Sequence, residues 1–478
     1  MKTSFSFFVF VLGAALLCAI PGFSQQADSS APLTSSVDFS QTIGKIKPLN
    51  GTNFWSRLWS ARIHDLQDTV ASAHFSTVRL HDIPLDNPGM RLVDYQHIFG
   101  NFKADATNPD NYYFDATDDY IKRILDGGSK VIYRLGTSIE HSAPDNYYAK
   151  DPADHKQFAE ICAGIVRHYN NGWANGHEWN IEYWEIWNEP NLRPQMWDKD
   201  FGAYCKLYVD VSKRLRKEFP TIKIGGPALT HAGADLVEQF AKACREADAP
   251  LDFFTWHAYP GTPEAVLHSP AQVRQILDKY GYTKTELHLN EWHYFPCSWS
   301  EIHGTEGGPE RKLYWRTCPS GMNGIDAAGF VGFVLSRWQD TPLDMSNYYA
   351  TNMSNWGLID EDGYVRPTFY ALAGFGELIA NAPVRVAADQ PEQYVSVLAG
   401  LGTKERGQEG AKMIYVASWK QTRETIRIAL KGVPESGTAK VKRLDSENKV
   451  KEETVGWTGG VLKLANQPGS FVLLISLE

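Results

Sequence analysis

The sequence predicts an α/β fold: a (β/α)8 TIM barrel with a C-terminal β-sandwich domain. Three features of the 478-residue chain indicate it. Strand-like and helix-like segments alternate after Pro48, about eight such units follow one another, and the helix-like segments stop near Pro383. Repeated strand–helix units imply parallel strands with right-handed crossovers, and eight of them close most naturally into a barrel. An open doubly wound sheet is the alternative, but Gly51–Trp55 lacks the glycine-rich phosphate turn typical of such sheets.

The barrel strands are predicted from short β-branched or aromatic runs, and the helices from amphipathic spacing. The predicted strands are Gly51–Trp55, Thr77–His81, Lys130–Leu135, Ile181–Trp187, Ile222–Ile224, Leu251–Ala258, Glu286–Trp292 and Gly329–Leu335. The predicted helices are Thr117–Gly127, Asp154–Asn170, Phe201–Glu218, Ala234–Ala247 and Pro270–Tyr280.

Short strands without intervening helices follow, separated by turn residues, and this pattern is typical of a β-sandwich. The predicted strands are Tyr394–Leu401, Lys412–Ser418, Glu424–Ala429, Ala439–Leu444 and Ser470–Ser476. We therefore expect a barrel over residues 49–380 and a sandwich over residues 381–478. The N-terminal segment 25–48 is expected to add a strand to the sandwich.

Residues 1–24 are predicted to be a secretory signal peptide. Lys2 precedes an apolar run from Phe5 to Ile20, and the small residues Gly22 and Ser24 have the spacing of a cleavage site. The run is shorter than the ~20 residues needed to span a bilayer. We expect a secreted or periplasmic protein with no membrane insertion after signal removal.

The composition narrows the range of partners. A net charge of −9 without a long Lys/Arg run argues against nucleic acid as a partner. The 43% hydrophobic and 22% charged residues exclude disorder, collagen and coiled coil as the main state. Six cysteines without a CxxC or CxxH spacing predict neither a metal site nor a cofactor. Cys297 and Cys318 flank a loop, and whether they pair is left open.

Two glutamates end apolar, aromatic strands. Glu189 follows the fourth predicted strand, where Pro190 ends the ladder, and Glu291 ends the seventh. Strand alternation places Glu185, Trp187 and Glu189 on one face. If that face points into the barrel, Glu189 and Glu291 lie at its C-terminal mouth, where barrel enzymes carry their chemistry. Glu185 lies deeper and is interpreted as an interior polar contact.

These motifs resemble glycoside hydrolase family 39, the β-xylosidase and α-L-iduronidase family of retaining (β/α)8 glycosidases. Trp187-Asn188-Glu189-Pro190-Asn191 and Asn290-Glu291-Trp292 look like the family's acid/base and nucleophile motifs. Val78-Arg79-Leu80-His81 is similar to its arginine-containing strand, and Trp256-His257-Ala258-Tyr259-Pro260 to its strand-six sugar contact. The resemblance implies a secreted retaining glycosidase that cleaves a terminal sugar from a polysaccharide or oligosaccharide.

The resemblance implies Glu189 as general acid/base and Glu291 as nucleophile. Their carboxyl groups would then lie about 5–5.5 Å apart, and the charge on Glu291 would favour the protonated form of Glu189. Arg79 and Tyr259 would hold Glu291 ionised and oriented. The implied sugar contacts are Asn188 to the 2-OH, His81 and His257 to other hydroxyls, and Trp338, at the end of the predicted eighth strand, as an apolar floor. Each also has a structural interpretation, as a buried histidine, an arginine paired with a structural carboxylate, or a core tryptophan.

Two other functions stay open. His81, His257 and His293 would suit a metal-dependent barrel hydrolase, although the spacings typical of such enzymes are missing. A catalytically inactive carbohydrate-binding barrel is the other alternative. The third strand end, with Glu140 and His141, and the loop from Cys297 to Cys318 depart from the family pattern, so the sugar and its linkage stay open.

Overall fold

The computed structural model describes residues 31–56, 65–81, 91–139, 149–296, 299, 321–353, 356–360, 362–391, 394–404, 410–447, 449–465 and 468–478. The predicted signal peptide, Glu140, His141, Cys297 and Cys318 lie outside these residues. In the described part, no helix has the length and apolar character needed to cross a membrane.

Seventeen described strands form two closed sheets. Strand β1 (Leu33–Lys45) belongs to the second domain, and eight parallel barrel strands follow it. These are β2 (Gly51–Asn53), β3 (Thr77–Leu80), β4 (Lys130–Leu135), β5 (Tyr183–Ile186), β6 (Lys223–Leu229), β7 (Phe253–Ala258), β8 (Glu286–Trp292) and β9 (Met345–Tyr348). Strand β9 pairs with β2 and closes the barrel, so the predicted TIM barrel is confirmed.

Helices cover the barrel from outside and extend between it and the second domain. The described helices are α1 (Gln67–Ala71), α2 (Tyr95–Ile98), α3 (Asp115–Asp126), α4 (His155–Asn171), α5 (Phe201–Glu218), α6 (Ala234–Glu246), α7 (Glu264–Leu267), α8 (Ser269–Lys279), α9 (Ile325–Arg337) and α10 (Pro367–Asn381). Asp154 caps α4, since its side chain accepts from the Lys156 and Gln157 amides.

One predicted strand is wrong. Gly329–Leu335 lies inside helix α9, and the eighth barrel strand is Met345–Tyr348. Every residue from Ala327 to Ser336 is buried, because one face of α9 meets the barrel side and the other meets the second domain. A helix that is apolar all round has no 3.6-residue pattern, so a short apolar run cannot distinguish it from a buried strand.

The second domain is a mixed sheet of nine strands whose hydrogen-bond order closes on itself. Its other members are β10 (Val384–Ala388), β11 (Val395–Leu401), β12 (Lys412–Gln421), β13 (Thr425–Lys431), β14 (Gly437–Leu444), β15 (Lys451–Thr458), β16 (Val461–Ala465) and β17 (Gly469–Leu477). The N-terminal strand β1 pairs in parallel with β13 and antiparallel with β10. Strand alternation along β1 buries Leu33 and Val37 in an apolar interior that includes Val416 and Leu473.

Helix α9 joins the two domains by close packing. Phe330 places its ring 4.7 Å from Tyr294, beyond β8, and 5.7 Å from Trp419 on β12. A Cβ atom at Gly329 would lie 2.0 Å from the Ser418 carbonyl oxygen and 2.8 Å from the Ser470 Cβ. Glycine at this position therefore permits the helix to approach the sheet.

We predict that Gly329→Ala lowers the free energy of unfolding by about 1–3 kcal/mol, because the added methyl group overpacks a backbone contact. Gly374→Ala, in helix α10, is the matched control, since its nearest contact would be 3.5 Å away, on the Tyr415 ring. It should be neutral or stabilising by about 0.5–1 kcal/mol. Urea unfolding of both variants measures the difference, and equal stability of the two would contradict the packing argument.

Candidate active site

The segment after β5 leaves the strand conformation before it reaches Glu189. Trp187 has a φ of 70° and Glu189 a φ of 44°, values that L residues rarely adopt. Two backbone hydrogen bonds stabilise the bend. The Trp187 amide donates to the Leu135 carbonyl at 2.8 Å, and the Glu189 amide donates to the Ala228 carbonyl at 2.9 Å. Such residues cost on the order of 1–3 kcal/mol each and cluster at functional sites.

The bend corrects one prediction about faces. Trp187 does not share the inward face of Glu185; its ring packs 6.0 Å from Phe158 on α4 and 5.1 Å from Trp197. Alternation holds only while the backbone is extended, and the positive φ at Trp187 ends it. Glu189 still reaches the mouth of the barrel, because the chain turns a second time at its own positive φ.

Glu291 is held by two donors. Arg79 Nη1 donates to its Oε2 at 3.1 Å, and the Tyr259 hydroxyl donates to its Oε1 at 2.5 Å. Burial and the neighbouring Glu291 charge raise the pKa of Tyr259 well above its usual value, so the phenol keeps its proton. A cation and a neutral donor on the same carboxylate fix its orientation.

Arg79 is the centre of this polar network and is fully buried. Its Nε donates to Glu185 Oε2 at 2.7 Å, and its Nη2 donates to Asn188 Oδ1 at 2.6 Å. Burial opposes the charge of Arg79, but the attraction of Glu185 and Glu291 outweighs it, and the pKa of Arg79 is raised. The guanidinium therefore contacts both an interior carboxylate and the one at the mouth.

Glu185 is the interior member of the network. It is fully buried and also accepts from the Asn290 side-chain amide. Burial favours its protonated form, but the pairing with Arg79 outweighs burial and lowers the pKa of Glu185. A negative Glu185 then balances Arg79 independently of Glu291.

Glu189 contacts His257 on β7. His257 Nδ1 lies 2.8 Å from Glu189 Oε1 and 3.6 Å from Glu291 Oε1. Burial lowers the pKa of His257 to about 4, so the ring is neutral near pH 7. One carboxylate oxygen from each of Glu189 and Glu291 and one nitrogen of His257 all lie within 4.8 Å of one another. The side chain of Glu189 is 12% exposed.

The other predicted site residues lie in different places. Asn188 and His81 are buried after β5 and β3, respectively. Trp338 does not end a strand: it follows helix α9, is fully buried, and its ring lies 4.8 Å from that of Trp292. The predicted position of Trp338 on a strand end is therefore wrong, because it followed from the misassigned strand, and the ring belongs to the packed layer outside the barrel.

An aromatic wall that the sequence did not predict lies beside Glu291. The Tyr259 ring lies 5.2 Å from Trp299 and 5.6 Å from Trp356, and Phe295 stacks 4.6 Å from Trp299. Trp299 is 44% exposed. These rings come from separate loops, so no local pattern joins them; the available signal was an unusual aromatic content around the ends of β8 and β9.

A cavity of about 430 Å³ opens beside this wall, between the loops that follow β6 and β7. Its lining includes His231, Tyr259, Ser269 and Trp299. An open, mixed polar and aromatic cavity next to paired carboxylates suits a ligand with hydroxyl groups and flat apolar faces.

Two groups of three side chains in the described part of the chain have metal-ligand spacing. One is Glu189, His257 and Glu291; the other is Asp118, His168 and His177. In the first group Arg79 already neutralises Glu291 at 3.1 Å. A divalent cation there would face an adjacent guanidinium, so the site suits two acid–base groups better than a metal.

Comparison with known proteins points to one family. The sequence profile of Glycosyl hydrolases family 39 matches residues 57–304. A β-xylosidase of Geobacillus stearothermophilus is 24% identical over 246 residues, 48% of this chain and 47% of that protein. A β-xylosidase of Caldicellulosiruptor saccharolyticus is 27% identical over 352 residues, 69% of this chain and 66% of that protein. The match thus spans about half of the first relative and under two thirds of the second.

Solved structures share the fold. A glucosidase from Croceicoccus marinus superposes with a TM-score of 0.76 at 19% identity, over 94% of this chain and 99% of that one. A monomeric β-xylosidase from Caulobacter crescentus CB15 has a TM-score of 0.70 at 17% identity, with the same coverage of 94% and 99%. The likeness covers both domains.

Buried histidines predict an acid-sensitive fold. Burial lowers the pKa of His257 to about 4 and that of His293 to about 3, against about 6.5 for a histidine in the unfolded chain. Between these values the unfolded chain binds protons that the folded chain does not, so the free energy of unfolding falls as pH drops from about 6.5 toward 4. Each histidine contributes up to about 3 kcal/mol over this range.

Urea unfolding of His293→Asn between pH 7 and pH 4 measures this dependence. The variant should lose stability less steeply with acidification than the unmodified chain. His231→Asn is the control, because His231 is exposed to water in the folded chain. Parallel pH curves for His293→Asn and the unmodified chain would contradict the prediction.

Proposed function

The chain belongs to glycosyl hydrolase family 39, and we propose that it is a retaining glycosidase that removes a terminal sugar from a glycan. One observation carries the proposal: a carboxylate oxygen of Glu189 and one of Glu291 lie within 4.8 Å of each other. Retaining glycosidases separate the two groups by about 5–5.5 Å, whereas inverting ones need about 6.5–9.5 Å to admit water. The short separation favours direct attack by a carboxylate on the sugar.

In the first step Glu291 is the nucleophile. Its oxygen forms a bond to the anomeric carbon while the bond to the leaving oxygen breaks, and Glu189 gives its proton to that oxygen. Arg79 and Tyr259 support this role, since both donate to the Glu291 carboxylate and hold it in one orientation. Glu189 contacts the neutral ring of His257, whose Nδ1 lies 2.8 Å from Glu189 Oε1.

In the second step water replaces the leaving group. Glu189, now ionised, accepts a proton from water, the water oxygen bonds to the anomeric carbon, and the bond to Glu291 breaks. A positive ring beside Glu189 would favour its ionised form at the start and remove the proton needed for the first step. The low pKa of His257, about 4, supports its neutral state in both steps.

The proposed substrate is a β-xyloside or a related glycan with a terminal sugar. Two relatives of the chain are β-xylosidases, and the aromatic wall of Tyr259, Trp299 and Trp356 offers apolar surface for a sugar ring. Asn188, His81 and His257 are the proposed contacts to sugar hydroxyls. We also propose that the mature protein is secreted or periplasmic, on the strength of the N-terminal sequence.

The proposal is tested on the purified chain with a panel of aryl glycosides, with and without EDTA. Proton NMR of the first-formed product should show the anomer of the substrate, because two inversions retain configuration. EDTA should leave turnover unchanged. Loss of turnover in EDTA would favour the metal-dependent alternative, and glycan binding without turnover would favour an inactive carbohydrate-binding barrel.

We predict that Glu291→Ala lowers kcat by roughly 10⁴-fold or more while the chain stays folded, because the nucleophile is lost. Azide should restore turnover and yield a glycosyl azide of inverted configuration, since a small anion fits the space of the carboxylate. Glu178→Ala, which alters an exposed glutamate, is the control and should keep full activity. Normal activity of Glu291→Ala would reject this assignment.

We predict that the loss of kcat/KM caused by Glu189→Ala depends on the leaving group of the substrate. Substrates with poor leaving groups need the proton, so kcat/KM on a disaccharide should fall about 10²–10⁴-fold. For a dinitrophenyl glycoside, whose leaving group departs without a proton, kcat/KM of the first step should fall much less. Equal losses on both substrates would show that Glu189 is not the acid.

A further inference from the structure

A second cluster of ligating side chains lies on the outer helix layer. Asp118 is on α3, His168 is on α4, and His177 is in the turn after α4. His168 Nε2 lies 2.9 Å from Asp118 Oδ1, and His177 Nε2 lies 3.2 Å from Asp118 Oδ2. The three side chains thus converge from two helices and a loop, and not from the strand ends that carry Glu189 and Glu291.

A neutral His168 ring cannot donate a hydrogen bond to both of its neighbouring acceptors. Its Nδ1 lies 3.1 Å from the Trp173 carbonyl oxygen, and its Nε2 lies 2.9 and 3.2 Å from the two Asp118 oxygens. A neutral imidazole carries one N–H. If Nδ1–H donates to the carbonyl, the Nε2 lone pair faces the lone pairs of a carboxylate. Metal-binding histidines have this arrangement, with the other ring N–H on a backbone carbonyl.

His177 also has a ring nitrogen whose hydrogen-bonding capacity is not met. Its Nε2 is buried and makes no hydrogen bond within the described residues, although Asp118 Oδ2 is 3.2 Å away. A tetrahedral zinc site with bonds of about 2.0–2.2 Å has ligand–ligand distances of roughly 3.3 Å. A single carboxylate oxygen, Asp118 Oδ2, lies 3.2 Å from His168 Nε2 and 3.2 Å from His177 Nε2, close to that value.

The rings are fixed in place by their surroundings. His168 stacks on Phe114 with centroids 3.5 Å apart, and His177 stacks on Trp179 at 3.8 Å. A Cβ atom at Gly176 would lie 2.2 Å from the His168 carbonyl oxygen and 2.7 Å from His168 Nδ1. The loop that carries His177 can therefore approach His168 only because residue 176 is glycine.

We propose that Asp118, His168 and His177 bind a divalent transition metal, with Zn²⁺ as the best match and water as the fourth ligand. Two imidazoles and one carboxylate suit zinc better than calcium or magnesium, which favour oxygen ligands. The metal links α3 to the end of α4. Because it binds the folded chain, it stabilises the barrel without entering the proposed reaction.

The test is zinc binding by the full chain after removal of metal with EDTA and dialysis. Calorimetric titration with ZnCl₂ should give about one equivalent, and the thermal midpoint should rise. Asp118→Asn and His177→Ala should each weaken binding by at least about 10-fold and reduce the rise. Asp119→Asn, which alters an exposed neighbour on the same helix, should bind like the unmodified chain.

Zinc-edge X-ray absorption should show two imidazole nitrogens at about 2.0–2.1 Å. Failure of the unmodified chain to bind zinc would overturn the proposal and leave His168 as a hydrogen-bond partner of Asp118. Binding that persists unchanged in both variants would also overturn it. If zinc were held instead by Glu189, His257 and Glu291, its binding would be unchanged in Asp118→Asn and His177→Ala, and zinc would inhibit glycoside turnover.

Discussion

The ion pairs of the buried Arg79 are the interaction on which the candidate site depends. A guanidinium with no exposure is sustained by Glu185 at 2.7 Å and Glu291 at 3.1 Å. Removing one partner of such a buried pair leaves an uncompensated charge, which typically costs 3–5 kcal/mol. Glu185 carries part of that balance, so the covalent bond proposed for Glu291 would not leave Arg79 unpaired.

The rest of the barrel mouth is arranged around this network. The bend after β5 holds Glu189 against His257, and Tyr259 holds the second oxygen of Glu291. One carboxylate therefore contacts a cation and a phenol, while the other contacts a neutral imidazole. Different surroundings for two identical side chains are what a reaction with one nucleophile and one acid requires.

Much of the architecture was predictable because it depends on local patterns. The strands Lys130–Leu135 and Glu286–Trp292 were predicted with the bounds observed, since their apolar runs have clear limits. Helix α9 was not, because its burial on both sides removes the periodicity that identifies a helix. Trp338 was misplaced by the same error.

At the candidate site, Glu189 and Glu291 were predicted from their positions after apolar strands, and Arg79 and Tyr259 from the family resemblance; the structure brings these four residues together. It missed Trp356 and Phe295, whose approach to Tyr259 depends on loops far apart in the chain. It also placed Trp187 on the wrong face, because a positive φ cannot be inferred from alternation.

The order of residues alone was sufficient to predict the repeating strand–helix plan, the all-β second domain and the candidate carboxylates Glu189 and Glu291, because each depends on neighbours within one segment. Folding decided the distance between the two carboxylates, which of them Arg79 contacts, and the meeting of Asp118 with His168 and His177. Those relations join segments dozens to hundreds of residues apart, and their geometry follows from barrel closure and side-chain packing.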